Sequence, residues 1–370
     1  MGLTALQATG GELDAKSTVE YRGATTAASF GDPQAEFDAL RSGCGVFDLG
    51  FRAQVSLTGS DRVRWLNGMV TNNIRDLGVD QGVYAFLLNP QGHILGDLYA
   101  YNRGDSITVE TDQDQLEKIL ATFDHYIIMD DVEVKNRSEE ITALGVGGPK
   151  SREVLAATGF AADDIPVLNA RNVMWQGIDC TVIRGDDELF PVYEIWLATY
   201  SAKTLWNALL QAGAKPVGSE ALEMHRIVSG TPSYRIDIRE RDLPQETEQA
   251  RALNFNKGCY VGQEIVERIR SRGAVHRKFS AFVMENAVPV KPGAKIVFGE
   301  KEVGEITSAA SVPVATGNRT VALGYIRRER GAPGTEVTIG GVKATVVQTP
   351  VTSATLQAGT QALELQKHPA

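Results

Sequence analysis

The chain has 370 residues, 43% of them hydrophobic, with 37 Lys plus Arg against 46 Asp plus Glu and a formal net charge of −9 at pH 7. The length suits about two to three domains, the apolar content excludes a disordered chain, and the acidic balance speaks against non-specific nucleic-acid binding, which needs cationic surface to displace counterions. No stretch approaches the ~20 consecutive apolar residues of a membrane span, the start carries no basic and apolar signal regions, and Cys44, Cys180 and Cys259 are too widely spaced for a disulfide framework or a zinc ribbon, so the expected compartment is a reducing cytoplasm.

Residues 1 to about 30, rich in Gly, Ala, Thr and Ser, read as an arm. A turn or two of helix is predicted over residues 35–41, broken by Gly43 and Gly45. Residues 53–58 alternate as a strand, and Ser60 is a good N-cap for a helix carrying Val63, Leu66 and Val70. The apolar run 83–88 ends at Asn89-Pro90-Gln91-Gly92, a strong turn signal, and residues 94–101 resume as a strand, which makes a hairpin. After a strand at 107–110, Leu116, Ile119, Leu120, Phe123 and Ile127 form an amphipathic helical stripe.

A second unit repeats this order. Pro149 sits at the first position of a helix that closes at Gly159. Strands follow at 180–183 and 192–197, then a helix with Leu205, Leu209 and Leu210 that stops at Gly213, and another from the Ser219 cap. Strands with covering helices predict two α+β domains. Past Arg277 the segments are short, alternating and separated by glycines, with Gly340-Gly341 as a two-residue hairpin turn; this predicts a small β-barrel, and residues after Pro350 read as a tail.

Three segments can carry chemistry. In Asn256-Lys257-Gly258-Cys259-Tyr260-Val261-Gly262-Gln263-Glu264 two glycines flank a cysteine, and a nearby ammonium favours thiolate over thiol. Cys259 is thus either a nucleophile or a small cysteine in a tight turn, with Gln263 and Glu264 adding polar groups. In Gly96-Asp97-Leu98-Tyr99-Ala100-Tyr101 the Asp97 carboxylate lies among apolar residues and is either a proton carrier or an ordinary exposed hairpin aspartate. In Pro191–Leu197, Glu194 interrupts large apolar residues; pointing inward it needs a donor partner, and both faces of the strand are partly apolar, so its direction stays open. His93, His125, His225, His276 and His368 match no metal-ligand spacing. The basic run Arg268, Arg270, Arg272, Arg277 and Lys278 reads as a solvated surface, with an anionic ligand tail or RNA phosphate as the other reading.

The segment Lys257–Glu264 resembles the KGCYxGQE signature of the folate-binding YgfZ-type proteins, relatives of the glycine cleavage T-protein (aminomethyltransferase), with every fixed position filled. Arg41–Asp48, Thr58–Asp61 with Trp65-Leu66 and Thr71-Asn72-Asn73, and the C-terminal blocks Val303–Ser308 and Ala322–Tyr325 are similar to further blocks of that superfamily. The resemblance implies an α+β fold: a three-domain ring of two interleaved ferredoxin-like domains and a barrel around a central folate pocket. The implied domains are 1–52 with 140–230, 53–139 with 231–275, and 276–350, then a tail at 351–370. It implies tetrahydrofolate or a one-carbon derivative as cofactor. Asp97 matches the proton-handling Asp, although Gly96 stands where the T-protein has another Asp. Glu194 matches the pterin-binding Glu, and Tyr101 and Arg226 match further pocket residues, with Asn89, Gln263 and Glu264 beside them. Cys259 with Lys257 is the functional pair.

The implied role is support of iron–sulfur cluster assembly or repair and of tRNA modification. Iron–sulfur assembly proteins or iron–sulfur enzymes are then the partners, with no membrane and no direct nucleic-acid contact. The alternatives are a folate-dependent aminomethyltransferase or demethylase, favoured by Asp97, and a non-catalytic adaptor on the same scaffold.

Overall fold

The alternation of residues 52–58 and 94–102 becomes strand, and the stripe of residues 113–126 becomes helix, in the computed structural model, which describes residues 2–8, 15–273, 275–315 and 317–357. The chain divides into two compact units. Unit 1 holds residues 1–90, 95–222 and 251–263; unit 2 holds 91–94, 223–250 and 264–370.

Unit 1 opens with a small sheet where the sequence predicts an arm. β1 (Gly2–Leu3), α1 (Ala5–Ala8), β2 (Ser17–Tyr21) and β3 (Ala24–Ser29) follow one another, and the strands pair in the order β1-β3-β2. Local periodicity misses this because the segment is held by distant residues. Ala24, Ala27 and Ala28 are buried, and the Thr4 and Thr26 hydroxyls donate to the buried Asp48 carboxylate. Then come α2 (Pro33–Ser42), whose Asp32 cap accepts from Gln34 N at 3.0 Å, and β4 (Gly45–Asp48).

β5 (Arg52–Thr58), α3 (Arg62–Met69), β6 (Gly82–Leu88), β7 (Ile94–Asn102), β8 (Ile107–Asp112), α4 (Gln113–Tyr126) and β9 (Glu133–Asn136) build a five-stranded sheet of order β6-β7-β8-β5-β9. The predicted Ser60 cap does not form. Asp61 precedes the helix, and Ser60 gives its N–H and hydroxyl to Asp131 at 2.8 and 2.7 Å. The period of two sorts this sheet into two faces. Val55, Leu57, Leu98, Ala100 and Val109 pack on Leu66, Leu116, Ile119 and Phe123 of the helices, each worth roughly 1.5–3 kcal/mol of burial. The opposite face carries Arg52, Gln54, Asp97, Tyr99, Glu110 and Asp112, with Tyr99 opposite Glu110, Gln54 opposite Glu110, and Arg52 opposite Asp112.

β10 (Ile141–Gly147), α5 (Ser151–Thr158), β11 (Ala170–Trp175), β12 (Ile178–Arg184), β13 (Val192–Ala198), α6 (Ala202–Gln211) and β14 (Lys215–Val217) join β4 in a sheet of order β11-β12-β13-β10-β4-β14. α5 begins at Ser151, two residues past the predicted Pro149, and closes at Gly159 as expected, with φ +102°. Gly145 faces Phe47 across the β10–β4 ladder, where a Cβ would lie 1.9 Å from the Phe47 ring. Tyr193, Ile195 and Leu197 enter the core with Leu155, Leu205, Trp206 and Leu209. That settles the question left open for β13: Val192, Glu194 and Trp196 lie on the other face.

α7 (Ser219–Ser229) leads into unit 2, which holds most of α8 (Gln263–Arg272) and a closed barrel. The barrel strands β15 (Arg277–Met284), β16 (Lys295–Phe298), β17 (Lys301–Val314), β18 (Gly317–Arg327), β19 (Glu336–Ile339) and β20 (Val342–Val347) pair in the order β15-β18-β17-β16-β19-β20 around Phe282, Met284, Ile296, Ile306, Ile326 and Val346. Gly340 and Gly341 have φ +58° and +83°, the positive pair that a type I′ hairpin needs. The predicted tail begins as structure: Val351 N–H donates to Val228 O at 2.8 Å, and α9 (Ser353–Gln357) buries Leu356. Residues 358–370, and with them His368, lie outside the described residues.

Two arginines of unit 2 correct the sequence reading. Arg277 is not a solvated cation. It binds Asp242 at 2.6 Å and Glu246 at 2.9 Å and lies 4.5 Å over the Tyr325 ring. Arg226, expected in the cofactor pocket, spends all five of its N–H groups: on Glu223 through Nε and Nη2, on Thr231 O and Asp237 through Nη1, and on Ser308 through Nη2. No donor remains for a ligand, because this guanidinium pins the unit's own segments together. Arg268 and Arg270 are exposed as expected.

Candidate functional site

The polar face of the five-stranded sheet concentrates charge. Asp97 accepts from Tyr84 Oη at 2.6 Å on one oxygen and from Gln115 Nε2 at 2.7 Å on the other. Burial, then the negative charge of Asp112, push its pKa up, against the pull of Tyr84 and Gln115. Next to it Arg52 binds Asp112 at 2.7 Å and Glu110 at 3.1 Å and lies 5.5 Å over the Tyr99 ring. Arg251 lies 4.5 Å over the Tyr84 ring and pairs with Asp186, which also accepts from Tyr99 Oη at 3.2 Å. An aspartate with two donors, one of them a ring hydroxyl, can hold or release a proton at Oδ2.

Glu194 of β13 enters the same cluster. Its carboxyl lies beside that of Glu110, and Trp196 Nε1 donates to it at 3.4 Å. Burial, then the Glu110 charge, push Glu194 up to about 8. Glu110 is fully buried, and its Oε1 receives no donor from the protein. Tyr101 is buried beside them, edge-on to Trp196 at 5.2 Å. Asp97, Glu110, Asp112, Asp186 and Glu194 gather here around Arg52 and Arg251 among tyrosine and tryptophan rings, and the acceptor left unfilled, Glu110 Oε1, suits a flat ligand that offers an N–H donor.

The signature loop is built on α3. Lys257 Nζ donates to Asn67 O and Val70 O, and Val261 N–H to Gly68 O at 3.1 Å, so three carbonyls at the helix C-terminus are capped from a remote segment. Burial, then the Arg75 guanidinium, push the Lys257 amine down to about 7. Tyr260 is buried under this amine at 4.8 Å, and Gly262 takes φ +82°. Cys259, between the two anchors, is left exposed. Cys44 and Cys180 lie in the core, where burial raises their thiols to about 12 and about 11.

Two domain descriptions match this chain. The glycine cleavage T-protein N-terminal domain matches residues 10–257, and the T-protein C-terminal barrel domain matches residues 277–352. The chain belongs to the glycine cleavage T-protein family. It is 28% identical over 341 residues to an aminomethyltransferase of Rubrobacter xylanophilus, covering 90% of this chain and 87% of that one. It is 25% identical over 341 residues to a chloroplastic protein of Arabidopsis thaliana named as a transferase, covering 91% and 76%. The crystal structure of the glycine cleavage aminomethyltransferase of Bartonella henselae superposes with TM-score 0.85 at 20% identity, covering 95% and 98%. The α+β fold with its C-terminal barrel is therefore the T-protein fold.

Within this T-protein-family chain, Asp97, Glu194 and Tyr101 come together in unit 1, as expected. Lys257 and Cys259 sit on the α3 anchor, with Gln263 at the start of α8; Asn89 directly follows β6, and Glu264 is exposed in unit 2. Sequence reasoning missed Tyr84, Arg52, Glu110, Asp112 and Gln115. The period-two spacing of Arg52 with Gln54 and of Glu110 with Asp112 marks a polar sheet face, but only strand pairing brings those rows together.

Proposed function

We propose that this chain binds a reduced folate, tetrahydrofolate or a one-carbon derivative, at the acidic cluster of unit 1, and acts as a YgfZ-type member of its family in support of iron–sulfur enzymes, including ones that modify tRNA. The observation that carries the folate reading is the buried Glu110 Oε1, which no protein donor reaches, next to Glu194 and the Tyr101 and Trp196 rings. A pterin is flat and offers several N–H groups, so the residues present fit it. When bound, the folate supplies the nitrogen that carries a one-carbon unit. Glu194 and Glu110 would orient the ring, Tyr101 and Trp196 would flank it, and Asp97 would hold or take a proton at Oδ2 under the control of Tyr84 and Gln115. The YgfZ-type reading is supported by the complete Lys257–Glu264 signature and the exposed thiol at its centre. A second reading, aminomethyl transfer, is supported by Asp97 and by the names of the relatives.

Anaerobic calorimetric titration with 5-formyltetrahydrofolate tests the first part. Wild type is expected to bind, and Glu194→Ala to weaken binding by about a hundredfold or more, as for a buried charged hydrogen bond lost. No binding by wild type overturns the folate reading and leaves the adaptor. Complementation separates the two roles. Cys259→Ser is expected to keep folate affinity and to lose support of iron–sulfur enzyme activity. Full complementation by this variant, with one-carbon transfer from a methylamine donor that disappears in Asp97→Asn, would favour aminomethyl transfer instead.

A further inference from the structure

The five- and six-stranded sheets of unit 1 line a cavity of about 610 Å³ that borders the acidic cluster through Gln54 and Trp196. This volume lies in the range of small-molecule sites. Two donors converge in its lining. Arg137 N–H donates to Gln54 O at 2.8 Å and so continues by one pair the β5–β9 register that sets Val55 opposite Asn136. Gln54 and Arg137 are therefore cross-strand neighbours whose side chains leave on one face. Gln54 is 4% exposed, and its Nε2 has no acceptor. Arg137 gives its Nε to Glu140 at 2.7 Å, which leaves both terminal nitrogens unclaimed. Arg103, also in the lining, pairs with Asp80 and donates through Nη2 to Asn172 and Thr181, while its buried Nη1 makes no hydrogen bond. Ser56 and Thr108 add hydroxyls, Trp196 adds an indole wall, and Asp179 is the carboxylate of the lining.

We propose that this cavity binds a small organic carboxylate with a flat apolar body, its two oxygens on Arg137 and Gln54 and its body against Trp196. The planar guanidinium and the amide N–H together present a fork that matches a carboxylate. A buried amide with no acceptor is rare in native proteins and points to a ligand atom that completes it. The same Trp196 indole donates to Glu194, so occupancy here is sensed by a contact of the acidic cluster.

The test follows the Trp196 indole N–H resonance by NMR, assigned through its absence in Trp196→Phe, during titration with sodium benzoate. Acetate and inorganic phosphate are titrated in parallel, and melting curves confirm that each variant is folded. Benzoate is expected to shift the resonance saturably, and acetate to bind more weakly because it has no body to stack. Arg137→Gln and Gln54→Leu are each expected to weaken benzoate by about tenfold or more. Absence of a saturable shift, equal affinity in both variants, or preference for phosphate overturns the proposal.

Discussion

Asp237→Ala is expected to lower the stability of unit 2 by about 3–5 kcal/mol, the cost of breaking a buried ion pair from one side. Asp237 is fully buried and accepts from Arg226 at 2.6 Å, Ser233 N at 2.9 Å, Thr307 Oγ1 at 2.5 Å and Ser308 Oγ at 2.6 Å. Its removal strands a buried guanidinium and two hydroxyls at once. For a unit of this size the melting temperature is expected to fall by about 10 °C. Asp237→Asn, which keeps the shape and one acceptor, is expected to lose less. A melting curve of the alanine variant within about 2 °C of wild type would show that the network does not hold the unit. Arg226→Met distinguishes the pinning role from the pocket role that the resemblance implies: pinning predicts lost stability, whereas a ligand contact predicts lost folate affinity at unchanged stability.

The second large effect depends on pH. Glu194 is raised in the folded chain to about 8 from a reference of 4.5. The native state then binds more protons than the unfolded state between those values, so the contribution of Glu194 is complete below about pH 4.5 and is lost as pH rises through about 8. Glu194→Gln removes the titration and keeps the shape. Its unfolding free energy is expected to equal that of wild type near pH 5 and to exceed it near pH 8 by on the order of 2–4 kcal/mol, less than the full shift because neighbouring groups relax. Denaturant unfolding at the two pH values measures this. Parallel pH dependences for the two proteins would mean that Glu194 is ionised throughout. The same linkage predicts that folate affinity rises with pH up to about 8, because N–H donors need the ionised carboxylate.

Much of this was legible in the chain. Alternation at residues 94–101 and the stripe through Leu116, Ile119 and Phe123 specify strand and helix locally, because side-chain direction follows backbone period. Gly340-Gly341 specified its hairpin, and the blocks at 41–48, 58–73, 303–308 and 322–325 pointed to the T-protein family. Asp97, Glu194 and Tyr101 came from motif resemblance, and they do meet.

Other features depend on pairing that no local pattern encodes. Residues 2–29 looked structureless because their strands are held by Asp48 and by one another rather than by an apolar stripe. Arg277 looked like a solvated cation and Arg226 like a pocket residue because Asp237, Asp242 and Glu246 stand in a loop that only folding brings to them. Glu194 had no readable direction, since both faces of its strand are partly apolar; the choice fell to the helices that cover Tyr193, Ile195 and Leu197. The sequence by itself determined the strands and helices with clear periodicity and the family, and by resemblance it pointed to Asp97, Glu194 and Tyr101. The tertiary structure decided which charges are spent on the fold and which acceptors, such as Glu110 Oε1, are left for a ligand, because burial and neutralisation of a charge depend on partners far away in sequence.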